Sequence, residues 1–331
     1  MIDKIFQKGR ETGLNDMEVY YSEGSSLSLK VFQKDLDGYS LSESEGLSLR
    51  GVYKGKMGYS YTEKVDETSI DQLVRDAAEN ALIIDSEDEE YIFEGSKEYK
   101  KVDSFNQTLS NVGEEQKINF VKSLEEEAFR LDKRIASVEV CIYGDGYGET
   151  IMSNTKGLFL RDKSNIAYTY IAVVAKDGED IKTGMAYRTG NDFNAFNAQD
   201  IAREAVDEAL ALLGARSVKS GDYNVIIRNS AAADLMEAFT GIFSAEAVQK
   251  NLSLLKGKLN EKIASDKFTL IDDPYMEGGL ASKSFDGEGV ACKYKKVVDK
   301  GVLKTYLYNL KTAKKDGVDT TGNASKGSYK S

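Results

Sequence analysis

The chain of 331 residues contains no histidine and no tryptophan, one proline and two cysteines. Histidine is the commonest general base, a principal ligand of catalytic zinc and the middle member of the serine protease triad. Its absence excludes His-Glu-x-x-His metallopeptidases, Cys-His proteases and chymotrypsin-like triads built from this chain alone. Carboxylate chemistry, Ser-Lys or tyrosine chemistry, an oxygen-ligated metal, or no chemistry at all remain open.

Other scarcities concern the setting of the protein. Cys141 and Cys292 lie far apart in unrelated contexts, so no disulfide framework is indicated and a reducing compartment is expected. The longest mostly apolar run, Ile166–Ala175, is too short to cross a bilayer, and the first residues lack the apolar stretch of a signal peptide. The net charge of −11 argues against wrapping nucleic acid or lying on an anionic membrane, and tolerates at most a local exception. We expect a cytoplasmic protein.

The order of the predicted elements indicates two domains, of which the first is α+β. An amphipathic helix begins the chain, a series of strands with a predicted turn at Gly24 follows, and a second helix begins after a capping-box pattern at Ser69. The same helix–strands–helix order recurs further along the chain. Strands grouped between helices, in place of strict alternation, favour a layered α+β fold over a doubly wound sheet. We therefore predict an N-terminal layered domain over residues 1–217.

This domain has a possible internal repeat, at about residues 1–84 and 114–214. One strand recurs in its letters, as Ser42-x-x-x-Gly-Leu-x-Leu-Arg50 and as Ser153-x-x-x-Gly-Leu-x-Leu-Arg161. A duplicated unit explains the match, and a chance likeness between similar strands is the alternative. The acidic stretch Asp85–Asp103 between the two copies is predicted to be a solvated connection.

Residues 218–331 are predicted to form a strand-rich second domain, barrel-like or sandwich-like. It begins with a strand at Tyr223–Arg228 that leads into a helix from Ala231 to about Phe243. Further predicted strands, joined by Asp-Gly, Glu-Gly and Lys-Gly turns, are Phe268–Ile271, Gly289–Tyr294, Lys296–Val298 and Val302–Tyr308. After Asp316-Gly317 the sequence turns polar and small without a closing apolar element, so we expect this domain to be incomplete.

Several patterns could carry chemistry, and each also has a structural interpretation. Asp272-Asp273 and Asp286-Gly-Glu288 could supply oxygen ligands to Mg²⁺ or Ca²⁺ or form a carboxylate pair, but the same patterns are typical of turns. Gly144–Gly148 has the glycine spacing of a phosphate loop, yet strand-like flanks favour a hairpin turn. Ser253 and Lys256 have the spacing at which a neutral lysine can activate a serine, although the companion motifs of such enzymes are absent.

The second domain also carries a series of motifs in a fixed order. They are Tyr223-Asn-Val-Ile-Ile, Leu235-Met-Glu-Ala-Phe, Lys256-Gly-Lys-Leu, Ile271-Asp-Asp-Pro, Phe285-Asp-Gly-Glu-Gly-Val, Gly301-Val-Leu-Lys-Thr-Tyr-Leu and Thr321-Gly-Asn-Ala. In order and spacing this series resembles the TldD/PmbA family, whose members are described as modulators of DNA gyrase and as zinc-dependent peptidases. The resemblance covers essentially the whole chain, because the family's N-terminal region also has strands ending in Gly-Leu-x-Leu-Arg.

The resemblance implies one of two partner subunits. The TldD-like branch carries zinc through His-Glu-x-x-x-His on the helix near Ala231 and a later cysteine, whereas the PmbA-like or TldE-like branch is metal-free. This sequence has Met236-Glu237-Ala-Phe-Thr-Gly241 at the matching place, which keeps the glutamate and lacks both histidines. A PmbA/TldE-type subunit without a cofactor is therefore implied, in which Glu237 is a vestigial general base.

The family also implies a role. The chain would be the cytoplasmic non-metal subunit of a two-component metallopeptidase that processes or degrades peptides or unfolded polypeptides, with zinc in a TldD-like partner. Asp286 and Glu288 would shape the peptide channel or the subunit interface, and the chain could form a homodimer when alone. No direct contact with nucleic acid or membrane is expected. The alternatives are a non-enzymatic regulator that binds gyrase or another client, and an autonomous hydrolase using Ser253 and Lys256.

Overall fold

A six-stranded antiparallel sheet is the largest element of the computed structural model, which describes residues 1–84 and 90–330. The strand order is β3-β2-β1-β4-β5-β6, so the first three strands form one half of the sheet and the last three the other. The halves join where β1 pairs with β4 in unbroken register, from Glu18 opposite Asn154 to Lys30 opposite Ile142. The strands are β1 Asn15–Phe32, β2 Asp35–Tyr53, β3 Lys56–Thr62, β4 Ile135–Asn154, β5 Phe159–Asp177 and β6 Asp180–Gly190.

Two places predicted to be turns lie inside long strands. Gly24 is in β1 and Gly144–Gly148 is in β4, so the turn and the hairpin predicted there are wrong. Glycine is needed at positions 24 and 144 because other groups lie where a side chain would begin. The Tyr147 carbonyl oxygen is 2.9 Å from the Cβ position of Gly24, and the Tyr168 ring is 2.5 Å from that of Gly144. These glycines permit close approach on the sheet and do not change the direction of the chain.

Helices cover one face of the sheet in two groups, above two separate cores. Met17 and Val19 of β1 are buried under the first group, and Leu27 and Leu29 under the second. All four residues are odd-numbered, and β1 pairs with β4 without a bulge, so their side chains point to the same face of the sheet. Both groups of helices therefore lie on that face. None of the helices within the described ranges is long and apolar enough to span a bilayer. The helices are α1 Ile2–Thr12 and α2 Ile70–Ile83 in the first group, and α3 Gln107–Ser110, α4 Glu114–Leu131 and α5 Ala198–Leu212 in the second.

Each edge strand is approached closely by a helix, and in both cases a glycine makes the contact possible. A Cβ on Gly58 of β3 would stand 1.8 Å from the Ala77 carbonyl oxygen of α2. A Cβ on Gly184 of β6 would stand 2.2 Å from the Ala205 carbonyl oxygen and 2.4 Å from the Ala209 nitrogen, both in α5. The two halves of the sheet thus use the same helix-on-strand contact at opposite edges. The internal duplication itself stays a prediction.

The repeated Gly-Leu-x-Leu-Arg segments place their arginines on acidic residues of the central strands. Arg50 of β2 lies with its Nε 2.8 Å from Oε1 of Glu18 in β1. Arg161 of β5 lies with its Nη2 2.6 Å from Oε1 of Glu149 in β4. Both glutamates are buried, so each copy of the motif ends in an arginine that neutralises a buried carboxylate.

The C-terminal region confirms the α+β class but has fewer strands than predicted. Within its described residues, the strands form one small three-stranded sheet and neither a barrel nor a sandwich. Tyr223–Arg228 is irregular and not a strand, because no described neighbouring strand offers it hydrogen bonds, and the Ile226 side chain is 98% exposed. The predicted helix ends at Phe239 and continues only as a 3-10 turn, Thr240–Phe243. The elements are α6 Asn229–Phe239, α7 Ala245–Gln249, β7 Leu270–Asp272, β8 Lys295–Asp299, β9 Val302–Leu303 and α8 Leu310–Asp316.

The connection between the two halves of the sheet packs onto the protein along its described part. Residues 85–89 of the predicted Asp85–Asp103 connection lie outside the described residues. After them, Ile92 is 1% exposed and the Phe93 carbonyl accepts a 2.6 Å hydrogen bond from Asn154. The Tyr99 hydroxyl donates to the Gly289 carbonyl at 2.7 Å. The expectation of a solvated connection therefore holds only in part for residues 90–103. Apolar and aromatic side chains anchor this stretch to the sheet and to the C-terminal region, while charged side chains such as Glu94, Lys97 and Lys101 are exposed.

Candidate functional site

The helix that carries the predicted site presents little that could bind zinc. Glu237 lies exposed on α6, Met236 beside it is partly buried, and Gly241 lies in the 3-10 turn that follows. Zinc in proteins takes imidazole nitrogen, thiolate or carboxylate ligands, and only Glu237 offers one of these. Across residues 1–84 and 90–330, no group of three His, Cys, Asp or Glu side chains is arranged to hold a metal ion. The donor set on this helix does not fit zinc, and the catalytic role of Glu237 stays a prediction.

The Asp286 carboxylate organises the loop that contains it. Asp286 is 2% exposed, and its Oδ1 accepts hydrogen bonds from the backbone nitrogens of Glu288, at 2.9 Å, and Val290, at 3.0 Å. Its Oδ2 accepts a third, at 2.9 Å, from the nitrogen of Ala324. Burial raises the pKa of this carboxyl, while these three N–H groups and Lys283 act in the opposite direction. The turn interpretation of Asp286-Gly-Glu288 agrees with these contacts, and a part in a channel or interface stays a prediction.

Glu288 joins the same loop to the last helix. Its Oε2 accepts a 2.8 Å hydrogen bond from the backbone nitrogen of Leu310, the first residue of α8. The helix dipole also stabilises a negative carboxylate at this N-terminal position. Burial raises the pKa of the Glu288 carboxyl, and the Leu310 N–H and the Arg50 charge counter that effect. Among the described residues, no hydrogen bond or ion pair connects the Glu237 carboxylate with Asp286 or Glu288. The structure therefore brings the two loop carboxylates together and leaves Glu237 apart from them.

The motifs that are separate in the sequence converge around Thr321-Gly-Asn-Ala. The Asn323 amide donates to Oδ2 of Asp272 at 2.7 Å, and the same oxygen lies 2.7 Å from the Lys295 ammonium. The Thr321 hydroxyl accepts a 2.7 Å hydrogen bond from the nitrogen of Tyr308. Together with the bond from Asp286 to Ala324, these contacts tie three of the motifs, and the residue that follows a fourth, into one polar core. Asp272 is thus paired with a lysine and an amide and is not part of a carboxylate pair.

Sequence reasoning missed a cluster of charges buried between the sheet and the C-terminal region. Beyond the Glu18–Arg50 pair it contains Lys326, whose ammonium lies 4.8 Å from the ring centre of Tyr20 and 5.3 Å from that of Tyr59. Burial lowers the pKa of Lys326 to about 8, Arg50 acts in the same direction, and Glu18 and Glu288 oppose them. The only sequence pattern that pointed to this cluster was the repeated Gly-Leu-x-Leu-Arg segment, because its arginine is a charged residue at a fixed position in a predicted strand.

The cluster predicts a specific dependence of stability on pH. Because the folded chain holds Lys326 at a pKa of about 8, below the ordinary lysine value of 10.5, it binds fewer protons than the unfolded chain between these values. The contribution of Lys326 to the free energy of unfolding should therefore rise as the pH increases from about 8 to 10.5. Urea denaturation of the parent and of Lys326→Met near neutral pH and near pH ~9.5 checks this. Identical pH dependence in the two proteins would contradict it.

The proposed Ser-Lys pair is not assembled. The Ser253 hydroxyl donates to the Ile242 carbonyl at 2.6 Å and accepts a 3.1 Å hydrogen bond from the nitrogen of Leu255. The Lys256 ammonium instead donates to the Asn251 side chain. A hydrolase built on Ser253 and Lys256 is therefore contradicted, because the serine is used in a turn and its proton is held by a backbone carbonyl.

The two cysteines are buried, as expected for small core residues. Burial raises the pKa of Cys292 to about 11 and that of Cys141 to about 12. Thiols with such pKa values carry almost no thiolate at neutral pH. Neither cysteine has the properties of a nucleophile.

Three family profiles match the chain in succession. Residues 17–81 match domain 1 of the PmbA/TldA metallopeptidases, residues 107–213 match the central domain, and residues 220–331 match the C-terminal domain. The last profile contains α6 and all of the loops that converge on Thr321-Gly-Asn-Ala.

Known proteins resemble the chain over nearly its whole length. A solved structure from Thermotoga maritima, named as a candidate modulator of a DNA gyrase, is 33% identical with a TM-score of 0.93, over 99% of this chain and 74% of that one. A metalloprotease of Methanocaldococcus jannaschii is 28% identical over 97% of this chain and 71% of its own length. The fold is also that of TldE from Thermococcus kodakarensis, at 20% identity and a TM-score of 0.85, over 98% of this chain and 73% of that one. The chain belongs to the PmbA/TldD family.

Proposed function

We propose that this chain is the metal-free, PmbA/TldE-type subunit of a two-component TldD/TldE-type metallopeptidase that processes or degrades peptides. The observation that carries the proposal is the donor set of α6. Met236, Glu237 and Gly241 stand at the place of His-Glu-x-x-x-His and offer zinc a single carboxylate. The similarity to a protein named as a metalloprotease supports the peptidase class. Without bound zinc, Glu237 has no activated water to deprotonate, which makes it a vestigial base.

The catalytic zinc would then belong to a TldD-like partner, and this chain would complete the peptide-binding interior. The Asp286–Val290 loop is suited to such a role because its backbone is fixed by three hydrogen bonds to one buried carboxylate. Glu288 extends from that loop to α8 and couples the two segments. We place the assembly in the cytoplasm, and expect the isolated chain to associate with itself when its partner is missing.

Reconstitution with the TldD-like protein of the same genome tests the proposal. Each protein is purified alone and together, and zinc content and cleavage of an unfolded polypeptide are measured for all three samples. We expect this chain alone to bind no stoichiometric zinc and to cleave nothing, and the mixture to co-purify and to cleave. Tight zinc binding with hydrolysis by the isolated chain would refute the proposal, as would a TldD-like protein that neither binds the chain nor gains activity from it.

A second candidate is a non-enzymatic regulator that binds gyrase or another client protein. It is favoured by the name of the similar Thermotoga maritima structure. Direct, saturable binding of this chain to purified gyrase without the TldD-like protein, together with an inactive mixture in the reconstitution, would support the regulator in place of the peptidase subunit.

A further inference from the structure

One segment of this acidic chain carries a large local excess of positive charge. Residues 293–315 contain eight lysines and one carboxylate, Asp299, for a net charge of +7. Because the whole chain carries −11, all other residues together carry −18. The segment is also chemically uniform, since no arginine occurs after Arg228. A block of like charge against such a background is typical of an interaction surface.

The fold gathers several of these lysines at the β8–β9 hairpin. Lys296 lies with its Nζ 2.9 Å from Oδ1 of Asp299. That hydrogen bond, together with the charges of Lys300 and Lys304, lowers the pKa of the Asp299 carboxyl. Three lysine ammonium groups therefore interact with the single carboxylate of Asp299, and the net charge of the hairpin is positive. We call Lys296, Lys300 and Lys304, which are all exposed, the lysine surface.

The stability of the fold does not account for the lysine surface. An exposed ion pair such as Lys296–Asp299 contributes little to the free energy of unfolding, and the neighbouring like charges repel. The hairpin is held instead by buried Val298 and Leu303, which face each other across the two strands. Exposed Tyr294, which is close enough to Lys296 to interact with it electrostatically, adds an aromatic ring of the kind enriched in protein interfaces.

We propose that the lysine surface docks an acidic segment of a polypeptide. Lysine ammonium groups attract carboxylates as point charges and need no forked geometry, and Tyr294 supplies an apolar contact for the peptide between its charges. Nucleic acid is disfavoured because arginine, the main residue of phosphate and base recognition, is absent from the whole region. The −18 on the rest of the chain would also repel a long polyanion, whereas a short acidic segment can remain within the lysine surface.

The biological role of this docking rests on the proposed function, because the acidic polypeptide would be a substrate of the peptidase to which this subunit belongs. The docking itself requires neither the TldD-like partner nor zinc to be tested. Failure of docking therefore leaves the reconstitution result untouched, and failure of reconstitution leaves the binding result untouched.

Binding of a labelled Glu-Gly repeat peptide to the full chain, followed by fluorescence anisotropy, tests the docking. The variant carries Lys296→Glu, Lys300→Glu and Lys304→Glu. The matched control carries Lys97→Glu, Lys133→Glu and Lys176→Glu, which are exposed lysines outside the region and change the net charge by the same amount. We expect the variant to bind about tenfold more weakly and the control to bind within about twofold of the parent. Binding by the parent should also weaken as salt is raised.

Three further measurements make the result decisive. A Gln-Gly repeat peptide should bind much more weakly than the Glu-Gly peptide, and equal binding would overturn the proposal. Equal loss in the variant and the control would show that net charge alone, and not this surface, governs binding. Duplex DNA that binds more tightly than the acidic peptide would assign the surface to nucleic acid. Circular dichroism of a triple Lys→Gln variant, which should lose binding while keeping the fold, separates docking from misfolding.

Discussion

Replacing Gly184 with alanine is expected to destabilise the protein by about 3 kcal/mol or more. Gly184 lies in the edge strand β6 beneath α5, where the new Cβ would stand 2.2 Å from the Ala205 carbonyl oxygen and 2.4 Å from the Ala209 nitrogen. These are backbone atoms of a helix, and they cannot rotate away as a side chain can. The helix must lift from the sheet, which separates the packed alanines of α5 from β6. Urea denaturation measures the loss.

Gly190→Ala is the matched control for this change. Gly190 ends the same strand, has no atom within 4 Å of its Cβ position and does not have a positive φ. We expect Gly190→Ala to have little effect on the free energy of unfolding. Gly58→Ala, at the opposite edge of the sheet, should destabilise the protein as Gly184→Ala does, because its Cβ would stand 1.8 Å from the Ala77 carbonyl oxygen. Equal midpoints for Gly184→Ala and Gly190→Ala would show that α5 does not pack as described.

Replacing Asp286 with alanine should have the second large effect, a loss of about 4 kcal/mol in the free energy of unfolding. The change removes the acceptor of three buried backbone N–H groups, those of Glu288, Val290 and Ala324. Two of these bonds close the loop and the third fastens Thr321-Gly-Asn-Ala to it, so both segments lose their anchor. Thermal unfolding of the variant should begin at a clearly lower temperature than that of the parent.

Two other variants give this prediction its controls. Asp273→Ala removes a carboxylate that accepts one 3.0 Å bond from the nitrogen of Tyr275 in a more exposed turn, and should cost only about 1 kcal/mol. The stability of Asp286→Asn should lie between those of the parent and Asp286→Ala. Its amide keeps one oxygen acceptor, but its NH₂ group would face at least one of the three backbone N–H donors. If Asp286→Ala is no less stable than Asp273→Ala, the carboxylate does not hold the loop together.

The sequence predicted the parts of the fold that depend on local periodicity. The helices α1, α2, α4 and α5 follow from apolar residues at helical spacing, and the grouping of strands between them indicated the α+β class. The errors arose where a residue had a purpose that only distant groups reveal. Gly24 and Gly144 suggested turns, but they are required by a carbonyl and a tyrosine ring on the neighbouring strands. Tyr223–Arg228 has the composition of a strand, but a strand also needs a neighbour with which to pair.

The candidate site was predictable to a similar degree. The local order of the motif placed Met236 and Glu237 on the helix α6, whereas Gly241 lies in the 3-10 turn that follows it. The buried contact of Glu18 with Arg50 and its proximity to Lys326 could not be predicted. Glu18 alternates with apolar residues as an outward-facing position would, and only the docking of residues from the far end of the chain buries it. Periodicity identifies the face of a strand and says nothing about what covers the second face.

The seam between β1 and β4 has a consequence for how this protein can change in evolution. The two halves of the sheet meet through paired backbones and not through a side-chain interface. The packing of each half therefore depends on the register between β1 and β4. Deleting one residue from the paired part of β1 would exchange its faces, exposing Leu27 and Leu29 and turning serines and a lysine towards the helices. Loops at the strand ends can lengthen freely, whereas this central strand tolerates changes of side chain but not of length.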